Sequence, residues 1–228
     1  MFNHELLILC GGRGSRLSSV WRRPKILAPI GNSTYLEILL GILAETSCNF
    51  NLTLATGYKS QDVEDQINEL GLDVSILREE SELGTGGAVT NFLKEHQPKR
   101  FSVLNGDTLF SERDLHSFFH RTLQTSACLI ATQKVDSNDR FGSVDITPNL
   151  SIQKPTLPLK RDLVYAGLGT FVTTLMCKEL EAPFSLEKLI NLSEINEANV
   201  ELFILNSGFY DIGTPESLAK ASIWLQKN

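Results

Sequence analysis

The stretch Leu9–Leu17, "LCGGRGSRL", closes the apolar run "ELLILC" of Glu5–Cys10. An unbroken apolar run that ends in glycines reads as a buried strand emptying into a loop. Loops of this kind turn backbone N–H groups toward one point and hold phosphate. Gly12-Arg13-Gly14 begins the dinucleotide fingerprint G-x-G-x-x-G, but its sixth position is Leu17, a side chain where close helix–strand packing wants none. The pattern G-x-x-x-x-G-K-[ST] does not fit either. The stretch therefore points to an α/β strand–loop unit and rejects both standard nucleotide signatures.

Outward from this loop, apolar runs alternate with segments of helical period. Strands are expected at Leu6–Cys10, Leu52–Thr56, Val74–Leu77, Phe101–Leu104 and Ala127–Val135. Helices are expected at Thr34–Glu45, Ser60–Leu70, Gly87–His96 and Arg113–Thr122, with Ser60 as an N-cap and Gly71 as a stop. This alternation implies an α/β fold: a Rossmann-like, doubly wound, mainly parallel sheet with helices on both faces. Ligands of such sheets sit beyond the carboxyl ends of the strands. That rule singles out Gly11–Arg16, Gly57-Tyr58, Arg78–Gly87 and Asn105-Gly106-Asp107.

Beyond Val135 the pattern changes. Short strands are expected at Gly142–Ile146, Leu150–Gln153 and Leu163–Val172, then a helix at Leu186–Asn191, a strand at Val200–Leu205 and a helix at Pro215–Gln226. With no repeat or linker, residues 1–228 read as one domain. Residues 1–135 would hold a nucleotide, and residues 136–228 would extend the sheet toward a second substrate.

Composition bounds the function. The 228 residues are 42% apolar and 21% charged, ordinary values for a globular protein with a real core. A net charge of −6 argues against non-specific nucleic-acid binding as the main activity. No apolar run approaches the roughly 20 residues of a membrane span. The N-terminus lacks a basic region, and "LLILC" is shorter than a signal-peptide core of about 7–15 residues. Cys10, Cys48, Cys128 and Cys177 lie far apart, as expected of reduced, buried thiols in a cytoplasmic protein.

Against the acidic total, Arg13, Arg16, Arg22, Arg23 and Lys25 form a run of cations without an acid. A glycine nest plus arginine forks suits phosphate oxygens, and this much charge suits a triphosphate. A solvated basic loop is the alternative. Pro24, rigid and just before Lys25, favours a fixed ammonium.

At this point a resemblance becomes plain. "LCGGRGSRLSSVWRRPKILAP" resembles the signature G-G-x-G-[ST]-R-L…P-K-x-x-x-P of the sugar-1-phosphate nucleotidyltransferases, with the span from Leu17 to Pro24 about one residue short. "LGTGGAV" (Leu83–Val89), "VLNGDTLF" (Val103–Phe110), "DRFGSVDI" (Asp139–Ile146), "QKP" (Gln153–Pro155) and "YDIGTPESL" (Tyr210–Leu218) resemble further elements of that family. The combined pattern is most similar to the D-glycero-D-manno-heptose 1-phosphate guanylyltransferase type, with mannose-1-phosphate guanylyltransferases alongside.

The resemblance implies a cytoplasmic transferase that joins an NTP, with GTP favoured, to a sugar 1-phosphate and releases pyrophosphate. Its products would serve cell-surface polysaccharide or lipopolysaccharide synthesis. Leu9, Gly11, Gly12, Gly14, Ser15, Gly84, Thr85 and Gly86 would surround the nucleotide. Arg16 would neutralise the β- and γ-phosphates, and Lys25 would bridge the α-phosphate and the incoming phosphate. Asp107 and Asp211 would hold Mg²⁺, which takes one or two carboxylates plus phosphate oxygens. Gly142, Gln153, Lys154, Tyr165 and Gly167 would form the sugar-phosphate site. Neither a nucleic acid nor a membrane is an implied partner, and the resemblance admits a homodimer. The chain ends soon after "TPESLAK", so no long C-terminal repeat domain is expected.

Glu79 stands five residues before Gly84. A carboxylate accepts the donors at guanine N1 and N2, which favours GTP; an acidic surface run with Glu80 and Glu82 is the alternative reading. The chain departs from the family at Gln153, where a glutamate is expected, and at Tyr165, where an asparagine is expected. Both departures fall on the sugar side. Two further classes stay open: a UTP- or CTP-dependent enzyme acting on an amino-sugar phosphate or phosphocholine, and a non-catalytic nucleotide-sugar-binding module. His116 and His120, spaced i, i+4, read as a polar helix face, and Phe110, Phe118 and Phe119 as core.

Overall fold

The computed structural model describes residues 3–135, 143–146, 148–153, 163–176 and 180–227. Strand β1 (Asn3–Leu9) carries Leu6, Leu7 and Ile8, all fully buried. A continuous apolar run of this kind belongs to a strand covered on both faces. β1 lies parallel between two other strands of a central sheet.

A small hairpin, β2 (Pro29–Ile30) and β3 (Ser33–Thr34), leads into helix α1 (Tyr35–Glu45). Thr34 and Glu37 form a reciprocal capping box at the start of α1, which satisfies N–H groups that a helix end leaves open. β4 (Asn49–Thr56) pairs with β1, then α2 (Ser60–Leu70) and β5 (Ser75–Arg78) follow. The expected N-cap at Ser60 is corrected: Ser60 is already helical, and Lys59 precedes it in the left-handed region at φ 50°. Gly71 stops α2 as expected, its N–H bonding back to Ile67 and Asn68.

Helix α3 (Gly84–His96) starts three residues before the expected Gly87. No side chain caps it. A distant carbonyl, Phe184 O, instead accepts the first-turn N–H of Gly86 at 3.0 Å. β6 (Arg100–Asn105) then returns beside β1, and β7 (Thr108–Phe110) leads to α4 (Glu112–Gln124). After it come β8 (Cys128–Lys134), β9 (Ser143–Asp145), β10 (Ser151–Gln153), β11 (Leu163–Val172) and α5 (Leu186–Asn191). β12 (Val200–Ile204), β13 (Phe209–Asp211) and α6 (Pro215–Leu225) complete the order.

Among the described residues the main sheet has nine strands, ordered β10-β9-β11-β6-β1-β4-β5, with β8 joined to β11 and β12 to β8. From β6 through β5 every pairing is parallel. β11 enters antiparallel to β6, and its register against β8 shifts between Tyr165 and Gly169. The second part of the chain thus extends the same sheet.

Side-chain alternation along β1 separates two cores. Leu6 and Ile8 face α1, α2 and α4, while Leu7 faces α3 and α5. Phe110, Phe118 and Phe119 belong to the first core, so their expected packing role holds. Cys10 and Cys128 are buried free thiols and Cys48 is half-buried; Cys177 lies outside the described residues. Among the described residues no helix is long and apolar enough to cross a membrane.

The loop after β12 is tied down by a buried carboxylate. Asp114, fully buried in α4, accepts from the backbone N–H groups of Asn206 at 3.0 Å and Ser207 at 2.9 Å. Hydrogen bonds to a buried charge are worth about 1.5–3 kcal/mol each. They fix the chain just before β13, which pairs antiparallel with β7.

Candidate active site

The ends of β1, β4, β5 and β6 open on a cleft of about 520 Å³, where the strand-end rule placed it. Leu9, Gly11, Gly12, Lys25, Glu79, Gly84, Thr85 and Asp107 line it, all singled out from sequence. So do Arg13, Tyr58 and Asn105. Arg13, Tyr58 and Asn105 all lay in stretches that the strand-end rule had already marked, and Asn105 is the last residue of β6.

The floor is built by close backbone approaches. Cys10 N–H donates to Ala55 O at 2.8 Å, and Gly106 N–H to Leu9 O at 2.9 Å. A Cβ on Gly106 would stand 2.5 Å from Leu9 O, so only glycine lets β1 and the β6 turn meet. Gly12 is different. A Cβ there would meet nothing within 4 Å, so the protein's own packing does not require glycine at this position.

Asp107 follows Gly106 at the carboxyl end of β6. Lys25 Nζ donates to Asp107 Oδ2 at 2.6 Å, with side-chain exposures of 16% and 27%. Lys25 is held because Pro24 precedes a one-turn 3₁₀ helix, Lys25–Leu27, whose Ile26 and Leu27 are buried. Asp211 reaches the same neighbourhood through the β7–β13 pair. Its register partner is Thr108, and Ile212 N–H donates to Asp107 O at 3.0 Å. The two aspartates singled out from sequence are thus brought together by one short ribbon.

The basic run divides. Arg13 and Lys25 line the cleft. Arg16 is exposed and outside the cleft-lining set. A Cβ on Gly213 would lie 2.8 Å from Asp211 Oδ1 and 3.1 Å from Arg16 Nη2, so the guanidinium stands over the Asp211–Gly213 turn. Arg23 pairs with Asp62 at 3.1 Å, and the Arg22 carbonyl accepts from Lys59 Nζ at 3.0 Å and Tyr58 Oη at 3.3 Å. The expectation of five cations facing one triphosphate is corrected: the short span up to Pro24 is strapped to the start of α2. Leu17, which broke the fingerprint, is a buried anchor at the end of the 3₁₀ turn Ser15–Leu17. Ser15 is exposed, and Gly14 adopts φ 59°, where glycine is favoured.

The second glycine stretch also has a different reason from the expected one. A Cβ on Gly84 would stand 2.4 Å from Phe184 O, and one on Gly86 2.5 Å from the Phe184 ring. Thr85 Oγ1 accepts from Leu186 N–H at 2.8 Å. These residues make room for the segment before α5, and Gly86 does not line the cleft. Gly84 and Thr85 do so from the other side.

Glu79 N–H donates to Thr56 O at 2.8 Å, which sets the residue at the end of β5. Its carboxylate lies against Gly11, where a Cβ would be 3.3 Å away. Burial pushes its carboxyl above the usual glutamate range, and the Leu83 N–H opposes that only in part.

On the sugar side, Gly142 and Lys154 lie outside the described residues, as does the side chain of Gln153. Gly167 sits at φ 80°, with Asn105 Nδ2 2.5 Å from where a Cβ would be, so β11 packs against the cleft wall there. Tyr165 is corrected from pocket residue to core residue: it is 6% exposed, packs in the second core and is absent from the cleft lining. Burial raises its phenol pKa far above the ordinary value. Among the described residues no group of three or more metal-ligating side chains occurs, and the neighbouring, mutually tilted rings of His116 and His120 belong to no such group.

A family model described as nucleotidyl transferase matches residues 5–228. The chain belongs to the nucleotidyl transferase family. Within it, the chain is 30% identical over 229 residues to a D-glycero-alpha-D-manno-heptose 1-phosphate guanylyltransferase of Aneurinibacillus thermoaerophilus, covering 97% of this chain and 98% of that one. It is 29% identical over 223 residues to the protein of that name from Campylobacter jejuni, covering 93% and 96%. A crystal structure of HddC from Yersinia pseudotuberculosis complexed with GMP-PN superposes with a TM-score of 0.75 at 28% identity, covering 96% and 98%. The fold that the resemblance implied is the fold observed.

Proposed function

We propose that the chain transfers a guanylyl group from GTP to the 1-phosphate of a heptose or mannose-like sugar, giving a GDP-sugar and pyrophosphate. The observation that carries the reading is the Lys25–Asp107 contact at the mouth of the Gly11–Gly14 loop, with Asp211 one hydrogen-bonded ribbon away. The names of the relatives support the same reaction class.

In this reaction a sugar-phosphate oxygen forms a bond to the α-phosphorus as the bond to the pyrophosphate oxygen breaks. Two anions must approach and a third must leave, so the site acts by position and charge. Glycine-loop N–H groups and Arg13 would hold the triphosphate, and Lys25 would sit between the α-phosphate and the incoming phosphate. Arg16 and Lys154 keep their proposed roles at the outer phosphates and the sugar phosphate. Glu79 supports guanine, because its half-buried carboxylate offers acceptors and no donor.

The donor set fits Mg²⁺. Two carboxylates, Asp107 just before β7 and Asp211 at the end of the paired β13, come from this ribbon and its entry turn, and Mg²⁺ takes one or two carboxylates beside substrate phosphates. When bound, the ion would neutralise phosphate charge.

The deciding experiment is pyrophosphate release from a panel of NTPs against sugar 1-phosphates. Turnover with GTP and a manno-configured 1-phosphate is expected. Turnover confined to UTP or CTP would replace the base, and GTP binding without turnover on any sugar would leave a binding module. Residence in the cytoplasm and assembly as a homodimer go with the reading, tested by fractionation and light scattering.

A further inference from the structure

Tyr35, the first residue of α1, is fully buried and touches both halves of the charged pair's support. Its backbone N–H donates to Ala28 O at 2.9 Å, and Ala28 N–H in turn donates to Lys25 O at 2.9 Å. Its hydroxyl donates to Thr108 O at 2.6 Å, one residue beyond Asp107. Thr108 is also the register partner of Asp211. One residue therefore ties together the turn that carries Lys25 and the ribbon that carries both aspartates. The capping box on Thr34 and Glu37 fixes where α1 begins, so Tyr35 has little freedom to shift.

We propose that Tyr35 is a positioning residue for nucleotidyl transfer, its hydroxyl holding the Asp107–Thr108 turn in register with Lys25 and Asp211. The inference rests on the transferase reading above. The phenol suits the task. Burial, then the nearby Asp107 and Cys10, raise its pKa well above the ordinary value, so it remains a neutral donor through the working pH range. A leucine or phenylalanine would fill the same core space without a donor. The hydroxyl is thus the informative atom.

The test compares Tyr35→Phe with Ser102→Ala. The latter removes another buried hydroxyl, which pairs with Thr170 Oγ1 at 2.8 Å within the sheet and away from the cleft-lining residues. Both variants are expected to fold with slightly lowered melting temperatures. In the free protein, hydrogen exchange of Tyr35→Phe should quicken in residues 105–110 and 209–213 and stay unchanged elsewhere. Its kcat should fall by about ten- to a hundredfold with KM for GTP nearly constant, because a small misplacement costs turnover more than binding. Ser102→Ala should keep parental kcat and parental exchange in both segments. Uniformly quickened exchange in Tyr35→Phe, or a kcat within about twofold of the parent, overturns the proposal. A parent without turnover on any substrate pair overturns the transferase reading, and exchange alone then decides whether Tyr35 governs the turn.

Discussion

Lys25 Nζ lies 2.6 Å from Asp107 Oδ2 across 82 residues of sequence, and both side chains keep partial contact with solvent. In a pair only partly open to water, desolvation offsets much of the mutual attraction, so its net contribution to stability is small. Its value lies in where it puts the charges. Lys25→Ala and Asp107→Asn should therefore each lower turnover by about a hundredfold or more, the order lost when one group that stabilises transition-state charge is removed. Thermal unfolding should stay near parental. Near-parental turnover in Lys25→Ala would remove that residue from the mechanism.

The base should be read at Glu79. Glu79→Gln replaces two acceptors by one acceptor and one donor, which suits uracil or thymine better than guanine. The expected loss in kcat/KM for GTP is about tenfold to a hundredfold, in line with one charge-assisted hydrogen bond. Because burial raises the Glu79 pKa, the carboxylate protonates at a higher pH than an ordinary glutamate. GTP affinity should thus begin to fall sooner on acidification than for a free glutamate. Glu79→Gln should flatten that limb, and competition between GTP and UTP across pH reads out both effects.

Two glycines offer a contrast. Gly84→Ala forces a side chain to within 2.4 Å of Phe184 O at a backbone φ of 73°, and should destabilise by more than about 2 kcal/mol. Gly12→Ala meets no protein atom and should leave stability within about 0.5 kcal/mol. Weaker nucleotide binding in Gly12→Ala at unchanged stability is the expected signature of a ligand space. Calorimetric titration with GTP beside thermal melts distinguishes the two.

Far from the cleft, His4 packs between the rings of Phe50 and Phe119. Burial, then Arg100 and His120, lower its pKa. A histidine whose folded pKa is depressed binds fewer protons when folded than when unfolded, so stability rises with pH. The contribution is complete above the unfolded value near 6.5 and is lost as pH falls toward the depressed folded value. Melting temperature measured from pH 8 down to 5 should drop through that window, and His4→Phe should weaken the dependence. A flat profile in the parent would show that His4 does not set it.

Local patterns were readable wherever one segment carries the whole signal. The unbroken run Leu6–Cys10 announced a strand, and the period of "TYLEILLGILAE" announced a helix, which begins one residue later with Thr34 as its cap. Gly71 announced a helix stop. The strands that escaped notice, β2, β3, β7 and β13, are two or three residues long and have no period to detect. Helix α3 begins early because its first turn bonds to Phe184, a partner a hundred or so residues away that periodicity cannot reveal. Tyr165 drew attention because it stands where the family has an asparagine, yet its ring packs in the second core, because β11 runs through the middle of the sheet.

The sequence by itself determined the α/β alternation, the glycine loop at the end of the first strand and the set of charged residues available for phosphate chemistry. These follow from hydrophobic periodicity and from backbone requirements that each segment meets alone. Tertiary structure decided which of those charges meet. It drew Asp211 to Asp107 through a ribbon held by Asp114, turned Arg23 toward Asp62 of α2, left Lys25 facing the cleft and set Tyr35 between the two turns. Those contacts join residues far apart in the chain, and their geometry comes from packing two cores against one sheet.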